Sequence, residues 1–249
     1  AGDHHGAIDD YSRVIEADPK MAAAFRYRGD AWKRTKQPVR AIADYTHALE
    51  LTPGRVEAYY ERAYLRGTKG DWDGAIADDT QAIVLKPDHG AAYYERGIWR
   101  YHAHSWTDAL ADFRKRSELG PPSDHPPLRI WLIRARLGER DAATKELARY
   151  LKGRKTEASN EWTFKMGSFL IGEFSEADLI QSAESKNPKT DQKQKCGAYF
   201  YAGSRRLIDG DKSGAKDLFQ KCIDTGAKIS LDYASSAAEL EFLRRPGMK

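Results

Sequence analysis

The chain has 249 residues, of which 41% are hydrophobic and 31% are charged, so it is polar for a globular protein but far from the composition of a disordered one. These residues contain no run of about 18 apolar positions, which excludes a transmembrane helix within them, and two cysteines are too few for a disulfide-stapled small fold or a four-cysteine zinc site. The net charge of +4 is too small to indicate a nucleic-acid-binding protein by itself.

An internal repeat of 34 residues occupies the first half of the chain. Four residue types recur with this period: Pro19, Pro53, Pro87 and Pro121; Ala7, Ala41, Ala75 and Ala109; Asp10, Asp44, Asp78 and Asp112; Arg28, Arg62 and Arg96. Each unit contains two runs of about 14 residues, which predict a pair of α-helices. We expect Asp71 and Ser105 to cap the second helix of their units.

This repeat resembles the tetratricopeptide repeat. Its first helices carry an aromatic residue, then arginine and a small residue, as in Phe25-x2-Arg28-Gly29, Tyr59-x2-Arg62-Ala63 and Tyr93-x2-Arg96-Gly97. Its second helices carry an alanine followed by an aromatic residue, as in Ala41-x3-Tyr45 and Ala109-x3-Phe113, whereas Asp79 follows Ala75. The resemblance implies an all-α fold, a right-handed superhelical solenoid of antiparallel helix pairs.

Three segments are expected along one continuous solenoid. Residues 1–122 form the repeat array, a half repeat and three full repeats; because Gly2-Asp3 has the register of Gly70-Asp71, the missing first helix is expected upstream of Ala1. Residues 123–190 are expected to form degenerate helical pairs, and residues 191–249 a repeat-like pair with a capping helix. The expected elements beyond the array are helices Leu128–Leu137, Ala142–Leu151 and Glu161–Ile171, a polar loop Gly153–Asn160, a short helix opened by Ser175-x-x-Asp178, and the cap Leu231–Leu243.

The second half also resembles a narrower family, the bacterial NlpI-type lipoproteins. The matching stretches are Leu170–Glu176, Cys196–Gly203 and Ala215–Phe219. This resemblance implies a dimeric adaptor that brings a protease to cell-wall hydrolases, and it favours the bacterial periplasm over the cytoplasm. No lipobox cysteine stands at Ala1, so membrane anchoring has no support in these residues.

No catalytic constellation is recognisable in the sequence. It contains no glycine-rich phosphate loop and no zinc-protease or serine-hydrolase motif, and its seven histidines are scattered. Carboxylate pairs such as Asp78-Asp79 fall in repeat registers, which favours a structural role. We therefore predict a protein that is not an enzyme and that has no cofactor and no metal.

The two cysteines, Cys196 and Cys222, fall on consecutive antiparallel helices. Both lie about equally far from the Gly210-Asp211 turn, so they could stand at the same height. The sequence favours a buried pair of free thiols over a disulfide. A disulfide would indicate the periplasm.

A ladder of arginines and aspartates is predicted inside the array. Three arginines replace the usual core leucine of the repeat, and a buried guanidinium requires a carboxylate because an unpaired buried charge is costly. Each arginine could reach the aspartate of its own or of the preceding repeat. The predicted members are Asp10, Arg28, Asp44, Arg62, Asp78, Arg96 and Asp112.

The resemblance also implies a binding groove, since the first helices of such repeats line a concave surface. The residues in groove registers are Arg26, Asp30, Lys33, Glu57, Tyr60, Tyr64, Tyr94, Ile98 and Tyr101. Tyrosines offer broad contact area at low entropic cost, so the groove suits an extended peptide with apolar and basic residues, although the rings could instead fill gaps between repeats. The carboxylate clamp of chaperone-tail binders is excluded, because acidic residues such as Glu61 and Glu95 stand where that clamp needs donors.

The function predicted from the sequence is a non-catalytic scaffold that binds a protein or peptide partner in the tyrosine-rich groove. An NlpI-like periplasmic adaptor, possible as a homodimer, is the first alternative. The second is nucleic-acid binding through residues 125–160, which hold nine basic and four acidic residues. A solvated helix face is the more ordinary explanation of that stretch, so nucleic acid is the less favoured partner.

Overall fold

The computed structural model of the protein describes residues 3–120, 125–154, 161–228 and 230–245. These residues form fourteen α-helices joined by turns, and no strand occurs among them, which confirms the predicted all-α class. The chain divides into two compact units, residues 1–103 and 104–249.

The first unit consists of six helices packed in chain order. They are α1 (His4–Ala17), α2 (Ala22–Arg34), α3 (Pro38–Leu51), α4 (Val56–Thr68), α5 (Trp72–Leu85) and α6 (Gly90–His102). Each helix packs on the next, and α2 with α3 and α4 with α5 form the most extensive pairs. The 34-residue period of the sequence therefore corresponds to one helix pair per repeat.

Local sequence explains where these helices begin and end. The Asp71 carboxylate accepts a hydrogen bond from the Gly74 N–H at 3.0 Å, which confirms the predicted cap of α5, and Asp3 caps α1 through Gly6 at 2.8 Å. The turn before α5 needs a left-handed residue, which Gly70 supplies with φ +88°. Lys36 takes the equivalent place one repeat earlier with φ 59°, so the turn is imposed by the packing of the pair as well as by glycine.

A glycine and an aromatic ring hold the two helices of a pair close together. A Cβ on Gly29 would lie 3.0 Å from the Tyr45 ring, sixteen residues downstream. The same pairing recurs in the second unit, where a Cβ on Gly203 would lie 2.9 Å from the Phe219 ring. In the repeat between residues 56 and 85 both members change together, because Ala63 takes the glycine position and Asp79 the aromatic one.

The second unit contains eight helices. They are α7 (Trp106–Glu118), α8 (His125–Arg136), α9 (Arg140–Arg154), α10 (Glu161–Ile171), α11 (Glu176–Ser182), α12 (Pro188–Ile208), α13 (Lys212–Asp224) and α14 (Leu231–Arg244). Successive helices pack on one another, and α12 also contacts α8, α10 and α14, so it lies at the centre of the unit.

The helices predicted for this half are confirmed, with small shifts at their ends. The helix α10 has the predicted bounds, and the Ser175 hydroxyl accepts from the Asp178 N–H at 3.0 Å at the start of α11. The predicted loop 153–160 begins later than expected, since α9 continues through Arg154, and residues 155–160 lie outside the described residues. Ser105 precedes α7 without a side-chain capping bond.

The two cysteines form a disulfide, which corrects the free pair favoured by the sequence. Cys196 of α12 and Cys222 of α13 are both buried, and their Cα atoms lie 4.3 Å apart. The helices α12 and α13 form the most extensive contact in the unit, and this close packing brings the thiols together at the predicted equal height. The bond therefore joins two helices that are already neighbours.

Candidate functional site

The arginines of the first unit lie between two helices of successive repeats and contact both. Arg28 donates two hydrogen bonds of 2.8 Å to the Asp44 carboxylate and a third, of 3.1 Å, to the Ser12 hydroxyl. Arg62 does the same one repeat later, with bonds of 2.8 and 2.7 Å to Asp78 and 2.9 Å to Thr46. Arg28 and Arg62 therefore each use the aspartate of their own repeat and a hydroxyl of the preceding one.

The hydroxyl side of this ladder was missed at the level of the sequence, although it follows the same period. Arg96 donates to Thr80 at 3.1 Å, so Ser12, Thr46 and Thr80 form a second column 34 residues apart. Asp112 is buried in α7. Asp10 was predicted to belong to the ladder, but its side chain is 77% exposed and lies 4.0 Å from Arg13. Asp44 and Asp78 each pair with an arginine sixteen residues earlier, and that position for Asp10 lies before the first residue of the sequence.

Successive first helices present a shared row of polar and aromatic side chains, which we call the inner face. The members related by contacts or nearby charges are Arg26, Asp30, Lys33, Tyr60, Glu61, Tyr64 and Glu95, and helical register adds Glu57 and Tyr94. Arg26 pairs with Asp30 at 3.2 Å within α2, and Lys33 of α2 pairs with Glu61 of α4 at 2.5 Å. Tyr60 of α4 donates to Glu95 of α6 at 2.7 Å. These contacts link α2, α4 and α6, and Lys33 and Tyr60 each bond to an acidic residue outside the predicted groove set.

The tyrosines of the inner face are half-buried, and Tyr60 donates a hydrogen bond. The Tyr60 ring also lies 5.0 Å from the His89 ring, and burial next to Glu95 raises the pKa of its hydroxyl. The pKa of Tyr64 is raised by burial and by the charges of Glu95 and Glu61. Part of each ring stays accessible, so the rings both fill space between repeats and offer a surface.

Two of the predicted groove residues do not lie on an accessible surface. Ile98 is 0% exposed and Tyr101 is 1% exposed, so neither can contact a partner in this arrangement. Their prediction as groove residues is corrected, and Trp99 and His102 of the same helix are buried as well. Helical register alone does not distinguish an exposed face from an enclosed one.

Two carboxyl groups are buried beside the inner face without a full set of partners. Asp79 is 0% exposed, and neither of its carboxyl oxygens has a hydrogen bond of ordinary geometry, although the Trp99 indole N–H lies close enough to favour its ionised form. Glu95 is 8% exposed; one oxygen accepts from Tyr60 and the other, Oε2, has no partner. Burial, followed by the nearby charge of Glu95, raises the pKa of Asp79 well above its usual value. Burial also raises the pKa of Glu95 to about 8. Glu95 therefore holds a proton near neutral pH.

The raised pKa of Glu95 predicts an unusual pH dependence of stability. Because the pKa rises from 4.5 to about 8 on folding, the folded protein keeps a proton that the unfolded chain loses. This contribution is complete below the unfolded pKa and is lost as the pH rises towards the folded pKa. We expect wild type to lose on the order of 2 kcal/mol relative to Glu95→Gln between about pH 5 and about pH 8, measured by urea denaturation. If the free energies of unfolding of wild type and Glu95→Gln change with pH in parallel, the prediction is wrong.

The basic stretch of α8 and α9 is largely engaged in ion pairs within the second unit. Arg129 contacts Asp232 at 2.7 Å and is 1% exposed. The other pairs join Arg134 to Glu139 and Glu146, Arg136 to Glu239, and Arg140 to Asp209. Residues 155–160 of the stretch lie outside the described residues. The guanidinium groups of Arg129, Arg134, Arg136 and Arg140 therefore neutralise acidic partners of the same unit.

The described part of the chain holds no cluster of three or more side chains suited to bind a metal ion. Within the same residues, no helix combines the length and the apolar character needed to cross a membrane.

Comparison with known proteins identifies the repeat. Residues 1–56 and 58–123 match the sequence model of the tetratricopeptide repeat family. The crystal structure of MamA is 25% identical, covers 64% of this chain and 92% of its own, and superposes with a TM-score of 0.60. A search of curated protein sequences found no match.

Two further structures cover nearly the whole chain and share its fold. A tetratricopeptide repeat protein from Parabacteroides merdae is 20% identical, covers 94% of this chain and 93% of its own, and has a TM-score of 0.65. YrrB, described as a repeat protein with an unusual peptide-binding site, is 17% identical, covers 91% of this chain and 97% of its own, and has a TM-score of 0.53. Proteins of this fold typically mediate protein–protein interactions.

Proposed function

Because the chain is a tetratricopeptide repeat protein, with the repeats matched over residues 1–123, we propose that it is a non-catalytic scaffold that binds a peptide or protein segment along the inner face. The observation that supports this proposal is a set of partly accessible tyrosines, Tyr60, Tyr64 and Tyr94, placed among charged groups on adjacent helices. Aromatic side chains among polar ones are typical of binding surfaces.

Preorganisation supports the same proposal. The Lys33–Glu61 ion pair ties α2 to α4, and the Tyr60–Glu95 hydrogen bond ties α4 to α6. Side chains that are already ordered lose little conformational entropy when a partner binds, so more of the interaction energy appears as affinity. A tyrosine ring adds large contact area while only two of its torsions need to be fixed.

The test is a double variant, Tyr60→Ala with Tyr94→Ala. Peptides are first selected by display of a random library against the complete, folded chain, and the affinity of the best peptide is measured by fluorescence anisotropy. We expect the double variant to weaken binding by at least about tenfold, because buried aromatic anchors carry much of the energy of an interface. Its helical circular dichroism should remain that of wild type.

A control is Val39→Ala. Val39 lies on α3, the second helix of its pair, and it is 64% exposed. This variant should bind the selected peptide as wild type does. If the double variant is folded and binds unchanged, the site lies elsewhere and the surface of α8 and α9 is the next to be tested.

A periplasmic adaptor of the NlpI type is the second candidate, and the Cys196–Cys222 disulfide favours it, because disulfides persist in oxidising compartments. The measurement is thiol alkylation of the protein in intact source cells, followed by its mass under non-reducing conditions. Alkylated cysteines would argue for a reducing compartment and against this candidate.

A further inference from the structure

The carboxyl group at position 79 occupies a place that the repeat elsewhere fills with a ring. Tyr45, 34 residues earlier, is buried against Gly29 and donates from its hydroxyl to Asp30 at 2.6 Å. The change from glycine to Ala63 narrows the space, and Asp79 stands there with no hydrogen bond of ordinary geometry to either oxygen. A buried carboxyl group without hydrogen-bond partners lowers the free energy of unfolding, so Asp79 makes the folded protein less stable.

Glu95 extends this acidic region to the inner face. Its Oε1 accepts from Tyr60, its Oε2 has no partner, and the charges of Glu61 and Lys33 act on it from α4 and α2. Asp79 acts from α5, since the charge of Glu95 raises the pKa of Asp79. The carboxyl group of Glu95 is therefore buried and held from α4 by the Tyr60 hydroxyl, so a ligand reaches it by displacing that hydroxyl.

The nearby cations form hydrogen bonds or ion pairs with other groups. Lys33 is held by Glu61 at 2.5 Å, and Arg96, which acts on Asp79, donates to Thr80 at 3.1 Å. The charge of Glu95 on α6 acts on Asp79 of α5, and the charge of Glu61 on α4 acts on Glu95. A proton on the buried pair relieves their repulsion in the free protein, and a cation from a ligand could do the same.

We propose that Glu95 and its acidic neighbours Asp79 and Glu61 form a subsite for one arginine side chain of the bound peptide. The proposal rests on the function proposed above and specifies the residue that the inner face recognises. A guanidinium group offers two parallel N–H donors, which match the two oxygens of a carboxylate. It would replace the Tyr60 hydroxyl at Oε1 and supply the missing donor at Oε2, while the displaced tyrosine ring is free to stack on it.

Binding of arginine in this way is coupled to proton release. In the free protein Glu95 holds a proton near neutral pH, and the guanidinium favours the ionised carboxylate, so the proton passes to the buffer. The groups that face Glu95 are Tyr60, Glu61 and Tyr64 on α4, Asp79 on α5 and Lys33 on α2. Affinity for an arginine peptide should therefore rise by about tenfold between about pH 7 and about pH 9.

The experiment compares selected peptides with their citrulline analogues, in which each arginine in turn loses its charge but keeps its shape. On wild type, citrulline at one position should weaken binding by at least about tenfold, while on Glu95→Gln the two peptides should differ by less than about threefold. Glu95→Gln keeps an acceptor for Tyr60, and Asp79→Asn is a second variant that should reduce the same ratio. The rise of affinity with pH should disappear in Glu95→Gln and with the citrulline peptide.

The outcomes separate this inference from the proposed function. Suppose that a selected peptide binds wild type, does not bind the Tyr60/Tyr94 double variant, and contains no essential arginine. This result would overturn the subsite and leave the scaffold function intact. The subsite would also be overturned if Glu95→Gln kept the wild-type ratio of affinities for the arginine and the citrulline peptide. If no selected peptide is lost by the double variant, it is the proposed function itself that fails.

Discussion

Replacing Arg62 by alanine is expected to lower the free energy of unfolding by about 3–5 kcal/mol, the scale of breaking a buried ion pair. Arg62 donates two bonds to Asp78 and one to Thr46, so its removal leaves a buried carboxylate short of donors and separates two repeats. Arg66 also contacts Asp78, at 2.8 Å, and retains part of the pairing. Denaturant unfolding followed by circular dichroism measures the loss.

Two variants make this measurement specific to the ladder. Arg62→Lys keeps the charge but cannot donate two parallel bonds, so we expect its free energy of unfolding to lie between those of wild type and Arg62→Ala. Arg13→Ala removes an exposed arginine 4.0 Å from Asp10 and should change stability by less than about 0.5 kcal/mol. A loss below about 1 kcal/mol for Arg62→Ala would mean that the ladder contributes little to stability.

Replacing Trp99 by alanine is expected to cost about 3–5 kcal/mol, as truncation of a fully buried tryptophan does. The Trp99 side chain is 0% exposed, and its indole lies over Gly67 of α4. Because a cavity of this size between α4 and α6 cannot close without moving both helices, most of the lost contact energy remains lost. The change is read from the midpoint of thermal or chemical unfolding.

The reciprocal variant, Gly67→Ala, tests the same contact from the other side. A Cβ on Gly67 would lie 2.4 Å from the indole of Trp99, so the ring must shift, at a cost of about 1–3 kcal/mol. Val84→Ala serves as a control, because Val84 is 65% exposed. Unfolding midpoints for Trp99→Ala and Gly67→Ala that match the control would show that the two helices are not held together by this contact.

The helix pairs, their boundaries and many of their caps were predictable because they depend on residues close together in the chain. The 34-residue period places Asp71 before α5, and Ser175 opens α11, since each cap bonds to an amide three residues away. The period also predicted that the arginines and aspartates lie in columns. Repetition converts a local pattern into a prediction of neighbours, because equivalent positions of stacked units lie side by side.

Sequence by itself therefore determined the all-α repeat architecture of this protein and the column of arginines inside it. The tertiary structure decided which aspartate each arginine uses, since that depends on how one pair packs on the next, and it added the hydroxyls of Ser12, Thr46 and Thr80 as second partners. It also enclosed Tyr101 and left Glu95 with one unpartnered oxygen. Burial and the pKa of a carboxyl group are set by atoms from several helices at once, and helical periodicity carries no information about that shared surrounding.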